Sequence, residues 1–391
     1  MTLTGAIIVF LTSLAALPCS YTFNAISVLK DERLILITGL VTFTLVSGIP
    51  WIILRRRLQK VDSFFYVLSL LTFNSVMSLI IALENDGLIA EFMGSYLREG
   101  EPYLKTAHGT MMSYWDGIAH YALYLMMLAA VSWNQSFYDV GLYWIGSFGY
   151  SKLVLLLAVL MGKDGVGWPL LLHLPCVVIS ALMSVRFFHE KMQEVKKFKS
   201  HISSQDDKED TKLLSLRKRP MDVILLIYYS FAICITLFRF TAVMEGNVSL
   251  VQQYKEKIEP YLSDSLPYPK AQLMINTLYF IPYYGLTIYS LIQPGQSWIL
   301  SLILVHAGAA SQGQFSYMGS SFHYRTPYIH RVPQTALARI IFWLVNGILF
   351  ILPQIAAYCS LNNAKFYFLK ATQSCRNGQL SSGTPVIKKT D

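Results

Sequence analysis

Ten stretches of mostly apolar residues follow one another along the chain, and they constrain its fold more than any other feature. Crossing about 30 Å of hydrocarbon takes a helix of roughly 20 such residues, whose backbone polar groups are all bonded within the helix. We therefore predict an all-α polytopic membrane protein with about ten transmembrane helices. The predicted spans are residues 5–27, 34–54, 63–85, 109–132, 140–161, 168–188, 220–243, 271–292, 297–319 and 336–358.

The composition agrees with residence in a membrane. Of the 391 residues, 54% are hydrophobic and 14% are charged, whereas a soluble domain carries about 25% charged residues. The net charge of +9 does not indicate nucleic-acid binding, because the basic residues form short clusters between apolar stretches, close to anionic lipid headgroups. The first stretch has no Lys or Arg before Lys30, so we interpret it as a span rather than a cleaved signal.

The distribution of charge predicts an orientation. Residues 189–219 and the tail from residue 359 are rich in charge and are expected to be solvated, partly disordered cytosolic segments. With ten spans, Arg55 to Arg57 also face the cytosol, as the positive-inside rule requires, and both termini are cytosolic. Arg239, near the end of the seventh span, is expected to extend to the membrane interface.

The C-terminus ends in Lys388-Lys389-Thr-Asp, which matches the di-lysine retrieval pattern read by coat proteins in the cytosol. This pattern predicts residence in the endoplasmic reticulum membrane. The Golgi intermediate compartment and the lysosomal membrane remain alternatives.

Metal and cofactor sites are not expected. The five cysteines are scattered singly, without the paired spacing of a zinc site or of a disulfide framework. We predict no metal, no cofactor and no nucleic-acid partner, and the oligomeric state stays open.

An internal repeat divides the chain. Glu101-Pro-Tyr-Leu after the third span recurs as Glu259-Pro-Tyr-Leu after the seventh, and each copy is followed by three further spans. We predict a two-helix leader (1–60), two four-helix units (61–189 and 217–358), a charged cytosolic linker (190–216) and a cytosolic tail (359–391).

Several motifs carry a resemblance to a known family. They are Glu99-Gly-Glu-Pro-Tyr-Leu-Lys-Thr-Ala-His-Gly, Tyr114-Trp-Asp-Gly, His120-Tyr, Tyr268-Pro-Lys, Gln314-Phe-Ser-Tyr-Met-Gly, Arg325-Thr-Pro and Arg331-Val-Pro. Together they resemble the pattern of the transmembrane 6 superfamily over about residues 5–358. The resemblance implies two copies of the four-helix EXPERA module, which is shared with the sterol Δ8-Δ7 isomerase (emopamil-binding protein) and the sigma-2 receptor. It further implies a pocket in each bundle, open sideways to the bilayer, for sterols or amphipathic amines.

Asp116 and His120 stand out without reference to any family. Ionisable groups inside spans are costly and face a bundle interior or a cavity, and the i, i+4 spacing puts these two side chains on one helix face. They are candidate ligand-binding residues, together with the neighbouring Tyr114 and Trp115. The alternative is a buried hydrogen-bonded pair with a structural role.

Isomerase chemistry is a narrower hypothesis. Shifting a ring double bond takes one proton donor and one acceptor around a dry pocket; Glu84 and Asp116 could form this pair in the first unit, with Glu245 as the corresponding acid in the second. The isomerase pattern has a histidine four residues before its helix-end glutamate, but this chain has Thr241 there in the second unit, and Ser78 lies in the comparable region of the first. The second unit offers only Asn276 where the first has Asp116, so lipid binding is better supported than catalysis.

Three functions follow from these patterns. The leading prediction is an endoplasmic reticulum protein of lipid or sterol metabolism that binds a sterol or a related lipid in the membrane, with isomerase activity possible. A non-enzymatic scaffold or regulator of lipid traffic is one alternative, and a small-molecule transporter is the other.

Overall fold

The computed structural model describes residues 3–26, 31–55, 64–163, 165–205, 219–246, 248–293 and 296–362. Every regular element among these residues is helical, which confirms the predicted all-α class. The α-helices are α1 (Leu3–Leu14), α2 (Ala16–Ala25), α3 (Glu32–Arg55), α4 (Phe64–Asn85), α5 (Ala107–Trp115), α6 (Tyr121–Ser132), α7 (Tyr138–Met161), α8 (His173–Gln205), α9 (Pro220–Val243), α10 (Ser249–Lys257), α11 (Pro267–Ile275), α12 (Ile281–Ile292), α13 (Ile299–Phe322) and α14 (Ala336–Asn362).

Seven helices of the described chain are long and apolar enough to cross a membrane, which confirms a polytopic membrane protein. They are Gly5–Ala25, Glu32–Ile53, Phe64–Asn85, Tyr138–Met161, Trp168–Glu194, Pro220–Val243 and Ala336–Asn362. The other three predicted spans coincide with α5 and α6, with α11 and α12, and with α13. These helices include buried polar residues such as His108, Gln272 and Gln312, and the count of ten stays a prediction.

The same series of elements occurs twice. In each half a four-residue 3-10 turn is followed by helices of nine and twelve residues, separated by a five-residue π turn, and then by a 24-residue helix. The 3-10 turns begin at Pro102 and Pro260, and the π turns are Asp116–His120 and Asn276–Phe280. The residues before the two prolines, Glu101 and Glu259, have nearly the same backbone angles.

The two halves meet through α7 and α13. A Cβ atom added at Gly146 would lie 1.8 Å from the carbonyl oxygen of Val305, and one at Gly308 would lie 1.9 Å from that of Tyr143. Only glycine allows this approach, because any side chain would overlap the facing backbone. The long helices of the two halves are therefore in backbone contact near their middles.

The N-terminal helices form one side of the molecule and pack on the first half. Oγ of Ser69 on α4 donates to the carbonyl oxygen of Val46 on α3 at 3.2 Å, and the hydroxyls of Ser13 and Tyr121 are 3.0 Å apart. The opposite face of α3 exposes apolar side chains such as Ile37 and Leu45, as expected of a helix in contact with lipid.

Part of the predicted linker is helical. Residues 190–216 are predicted to be a charged cytosolic linker, and α8 continues into this range through Gln205. The sequence after residue 189 is rich in Lys, Glu and Gln, which have good helix propensity, so the helix extends beyond the predicted span. Residues 206–218 lie outside the described part of the chain.

Candidate functional site

A hollow of about 140 Å³ lies between the N-terminal helices and the first half. Its wall combines α2 and α3 with α4, α5, α7 and the segments that precede α5 and α8. Apolar side chains such as Phe43, Phe73, Met77 and Leu155 make up much of the lining. Four acidic or basic side chains face the same space: Glu101, Asp116, Lys152 and His173.

Asp116 begins the π turn between α5 and α6, and its surroundings on α4 hold it in place. Ser78 donates its hydroxyl to Oδ2 at 2.7 Å, and Ser75 donates to the Asp116 carbonyl oxygen at 2.8 Å. A Cβ at Gly117 would lie 2.6 Å from Cβ of Leu79, so the two helices touch at this glycine. The carboxylate is buried, with 7% of the residue exposed.

His120 bonds to Asp116 and connects it to α7. Nδ1 of His120 lies 2.7 Å from Oδ1 of Asp116, and Nε2 lies 2.8 Å from Oγ of Ser147. The indole N–H of Trp115 donates to the same Ser147 oxygen at 2.8 Å. Because an indole only donates, Ser147 can give its own proton to Nε2, which leaves the proton of a neutral imidazole on Nδ1, directed at Asp116. Each side-chain polar atom in this hydrogen-bonded network thus has a partner.

Glu101 is a second carboxylate on the wall of the hollow. Tyr103 donates its hydroxyl to Oε1 at 2.6 Å, and Nε2 of His173 lies 2.8 Å from the same oxygen. Burial alone would raise the pKa of the Glu101 carboxyl, but its interactions with His173, Tyr103 and Tyr96 hold that pKa below its ordinary value of 4.5. Glu101 is therefore ionised at neutral pH.

Lys152 supplies the hollow with a cation from the middle of α7. Its ammonium lies 3.5 Å from Nδ1 of His173 and 5.1 Å from the centre of the Phe148 ring. Lys152 is an ionisable residue inside a predicted span, so the criterion that singles out Asp116 and His120 also identifies it, although our sequence analysis missed it.

The other predicted site residues lie apart from the hollow. The Glu84 carboxylate accepts the backbone N–H of Phe92 at 3.1 Å and that of Met93, so it fixes the loop after α4. Tyr114 donates its hydroxyl to Oδ2 of Asp86 at 2.9 Å. The acid that shares the hollow with Asp116 is thus Glu101 rather than Glu84.

Glu245 borders a different space. Its backbone adopts φ 57, and its side chain is exposed at the end of α9. It faces a wider hollow of about 980 Å³ between the loops of the two halves, which also exposes Lys163, Lys255 and Lys270. The structure does not bring Glu245 close to Asp116.

In the second half, aromatic rings occupy the region that corresponds to Asp116 and His120. Asn276 begins the second π turn and accepts the hydroxyl proton of Tyr150 on α7 at 2.6 Å. Phe280 stands at the position of His120 in the π turn, and the His306 ring stacks on Tyr283 with 3.9 Å between ring centres. Both nitrogens of His306 lack a hydrogen-bond partner in the described chain.

The prediction for Arg239 is wrong. Arg239 is only 4% exposed and forms an ion pair with Glu259 of the second Glu-Pro-Tyr-Leu motif. Tyr317 donates its hydroxyl to Glu259 at 2.9 Å. Asn346 accepts a hydrogen bond from Arg239 and donates one to Glu259. The guanidinium stays inside because a fully buried carboxylate needs a compensating charge. Sequence alone could not reveal this pairing, because the two residues are separated by a turn and a helix.

Two predictions concern metals and the tail. Within the described residues, no cluster of three or more His, Cys, Asp or Glu side chains has the arrangement of a metal site. The predicted retrieval residues Lys388 and Lys389 lie outside the described residues.

Comparison with known proteins identifies the family. Residues 15–198 match the family described as "Transmembrane 6 superfamily member 2-like, transmembrane domain". The chain is 34% identical over 369 residues to mouse (Mus musculus) transmembrane 6 superfamily member 2, covering 94% of this chain and 95% of the relative. It is 35% identical over 362 residues to the human (Homo sapiens) protein of that name, covering 91% and 92%. No solved structure matches the chain. The motifs around Asp116, the duplicated helical architecture and this identity along the chain lead to one conclusion, that the protein belongs to the transmembrane 6 superfamily.

Proposed function

We propose that this protein binds a sterol or a related lipid inside the membrane of the endoplasmic reticulum and thereby takes part in cellular lipid handling. The observation that carries the proposal is the hollow beside α3, in which buried Asp116 faces a mostly apolar lining. Ligand pockets commonly combine an apolar wall with a few polar groups that fix orientation.

The size of the hollow indicates which part of a lipid it accepts. A cavity of about 150 Å³ holds a molecule the size of benzene, and this hollow measures about 140 Å³. It therefore accommodates the polar end of a lipid and one ring or a few carbons, while the rest of the lipid lies outside it. Each Asp116 oxygen already accepts one hydrogen bond and retains a second lone pair for a ligand hydroxyl.

Sterol isomerisation is a second candidate, favoured by one specific observation. Two carboxylates, Asp116 and Glu101, line the same hollow, and a double-bond shift needs one group to deliver a proton and another to remove one. A measured conversion of a Δ8-sterol by purified protein, lost in Asp116→Asn, would establish this activity. Lipid binding without turnover would leave the protein a binding protein only.

Contacts between loops support the predicted number of spans. Arg325, after α13, donates to the carbonyl oxygens of Asn85 and, at 3.2 Å, of Lys105. These loops can meet only if an even number of crossings separates them. Of the seven apolar helices, α7, α8 and α9 lie between them, and adding the three more polar predicted spans brings the number to six.

Photo-crosslinking tests the lipid site. Purified full chain in nanodiscs would be exposed to a photoreactive sterol, and the labelled peptides would be mapped. We expect labelling in α3, α4 and α7, reduced about tenfold in Asp116→Asn because a hydrogen bond to a charged group is lost. Asp86→Asn is the matched control, since that carboxylate lies outside the hollow and should leave labelling unchanged.

Other labelling patterns would favour the alternatives. Labelling could instead spread over the outer lipid-facing surfaces and not respond to Asp116→Asn. That result would favour a non-enzymatic scaffold. Saturable uptake of a small solute into proteoliposomes without hollow labelling would indicate a transporter.

The retrieval signal has a separate test. Replacing Lys388 and Lys389 with Ser should release the protein from the endoplasmic reticulum toward later compartments, because coat proteins would no longer bind the tail. Unchanged location by imaging would remove the tail as evidence for residence there.

A further inference from the structure

Lys152 has fewer polar partners than the other acidic and basic side chains on the wall of the hollow. Asp116 has bonds to His120 and Ser78, and Glu101 has bonds to Tyr103 and His173. Within the described chain, the one polar contact of the Lys152 ammonium is Nδ1 of His173 at 3.5 Å, although an ammonium carries three donors. The hollow thus contains unused N–H donors inside a membrane span, where such groups are costly.

The imidazole of His173 fixes the direction of this contact. Lys152 can only donate, so Nδ1 accepts and the ring proton lies on Nε2, which donates to Glu101. Glu101, His173 and Lys152 therefore form a hydrogen-bonded row along one wall. Its free end is the ammonium, which faces the hollow.

Asp116 faces the same space from the π turn after α5 without pairing directly with Lys152. The ammonium lies within electrostatic range of Asp116, but no ion pair within 4 Å joins them in the described residues. A group placed in this gap would meet an N–H donor on one side and a carboxylate acceptor on the other. A hydroxyl satisfies both, because it accepts and donates at once.

Building on the proposed lipid site, we propose that Lys152 shifts the charge preference of the hollow away from a cationic amine, which Asp116 and Glu101 alone would attract, and toward the hydroxyl end of an uncharged lipid. The ammonium head of an amine offers no hydrogen-bond acceptor to Lys152. The two positive charges would also repel each other strongly where water is scarce. A carboxylate head would in turn face Asp116 and Glu101. The neutral alcohol is the head group that meets neither repulsion.

The test compares two photoreactive probes that differ in one group. A diazirine sterol with a 3-hydroxyl and the same skeleton with a 3-amine, protonated at neutral pH, would be applied to the purified full chain in nanodiscs. Lys152→Met should lower labelling of the hollow peptides by the alcohol and raise their labelling by the amine, so that the ratio of alcohol to amine labelling falls about tenfold below that of the wild type.

Matched variants separate charge from folding. Lys152→Arg retains the cation and should retain the wild-type ratio of labelling by the two probes. Lys163→Met removes a lysine from the wider hollow between the loops and should change neither probe. Folding of each variant would be checked by size-exclusion chromatography.

The outcomes distinguish this proposal from the one on which it rests. If Lys152→Met leaves the ratio of alcohol to amine labelling unchanged, Lys152 does not set the preference, although the lipid site stands. If neither probe labels the hollow in the wild type, the lipid site itself fails.

Discussion

Nδ1 of His120 lies 2.7 Å from Oδ1 of Asp116, within a single π turn. The second half keeps this turn but has Asn276 and Phe280 at the two positions. The same backbone feature therefore carries a polar network in one half and aromatic packing in the other.

Replacing His120 with Phe, the residue of the second half, should destabilise the protein. The change leaves Oδ1 of Asp116 and the hydroxyl of Ser147 without their buried partner, at a cost of about 1–3 kcal/mol. Thermal unfolding of the purified chain in detergent would measure it. His306→Phe is the control: His306 makes no hydrogen bond in the described chain, so its loss should cost much less. Equal effects of the two changes would contradict the network.

Replacing one partner of the Arg239–Glu259 ion pair should lower the free energy of unfolding more than replacing both. Arg239→Met alone leaves a buried carboxylate without compensation and should cost about 3–5 kcal/mol. Replacing both residues, in Arg239→Met with Glu259→Leu, should recover much of that loss. Unfolding in detergent would be compared across the three variants, and a double variant no more stable than the single one would argue against a buried pair.

Glu101 should make part of the stability depend on pH. Its pKa is lower in the folded state than the ordinary 4.5, so its contribution is complete above pH 4.5 and is lost as the pH falls through the folded-state value. Glu101→Gln should therefore be less stable than wild type at pH 7, and the difference should shrink below pH 4.5. Unfolding midpoints over this range provide the measurement. A difference that stays constant with pH would mean that ionised Glu101 contributes nothing.

Gly146 should be intolerant of even a methyl group. Gly146→Ala would overlap the carbonyl oxygen of Val305 and should cost about 1–3 kcal/mol or more by forcing α7 from α13. Gly149→Ala, one turn further along α7, meets nothing within 4 Å and should be neutral or slightly stabilising. If both variants unfold at the same temperature, the two helices are not in backbone contact.

The helical class and the Asp116–His120 pair could be predicted from sequence because both depend on local periodicity. An apolar stretch and an i, i+4 spacing are visible without tertiary structure. The partners Ser78 and Ser147 could not be predicted, since they come from α4 and α7 and only helix packing brings them to Asp116 and His120.

Charged side chains at helix ends were the least predictable. Glu84 precedes a loop, and sequence does not reveal that this loop turns back and offers its N–H groups to the carboxylate. Arg239 has the spacing of a residue at the membrane interface, but a buried Glu259 holds it inside. In both cases the deciding partner is distant in sequence or is a backbone group, which carries no sequence signal.

The contact between α7 and α13 is reciprocal, because Gly146 meets the backbone of α13 and Gly308 meets that of α7. Each half contributes a glycine that contacts the backbone of the other half, as two identical subunits would across a twofold axis. Joining such halves in one polypeptide removes the need for them to stay identical. One half can then carry Asn276, Phe280 and a cluster of tyrosines around His306, while its twin keeps the Asp116–His120 pair beside a hollow.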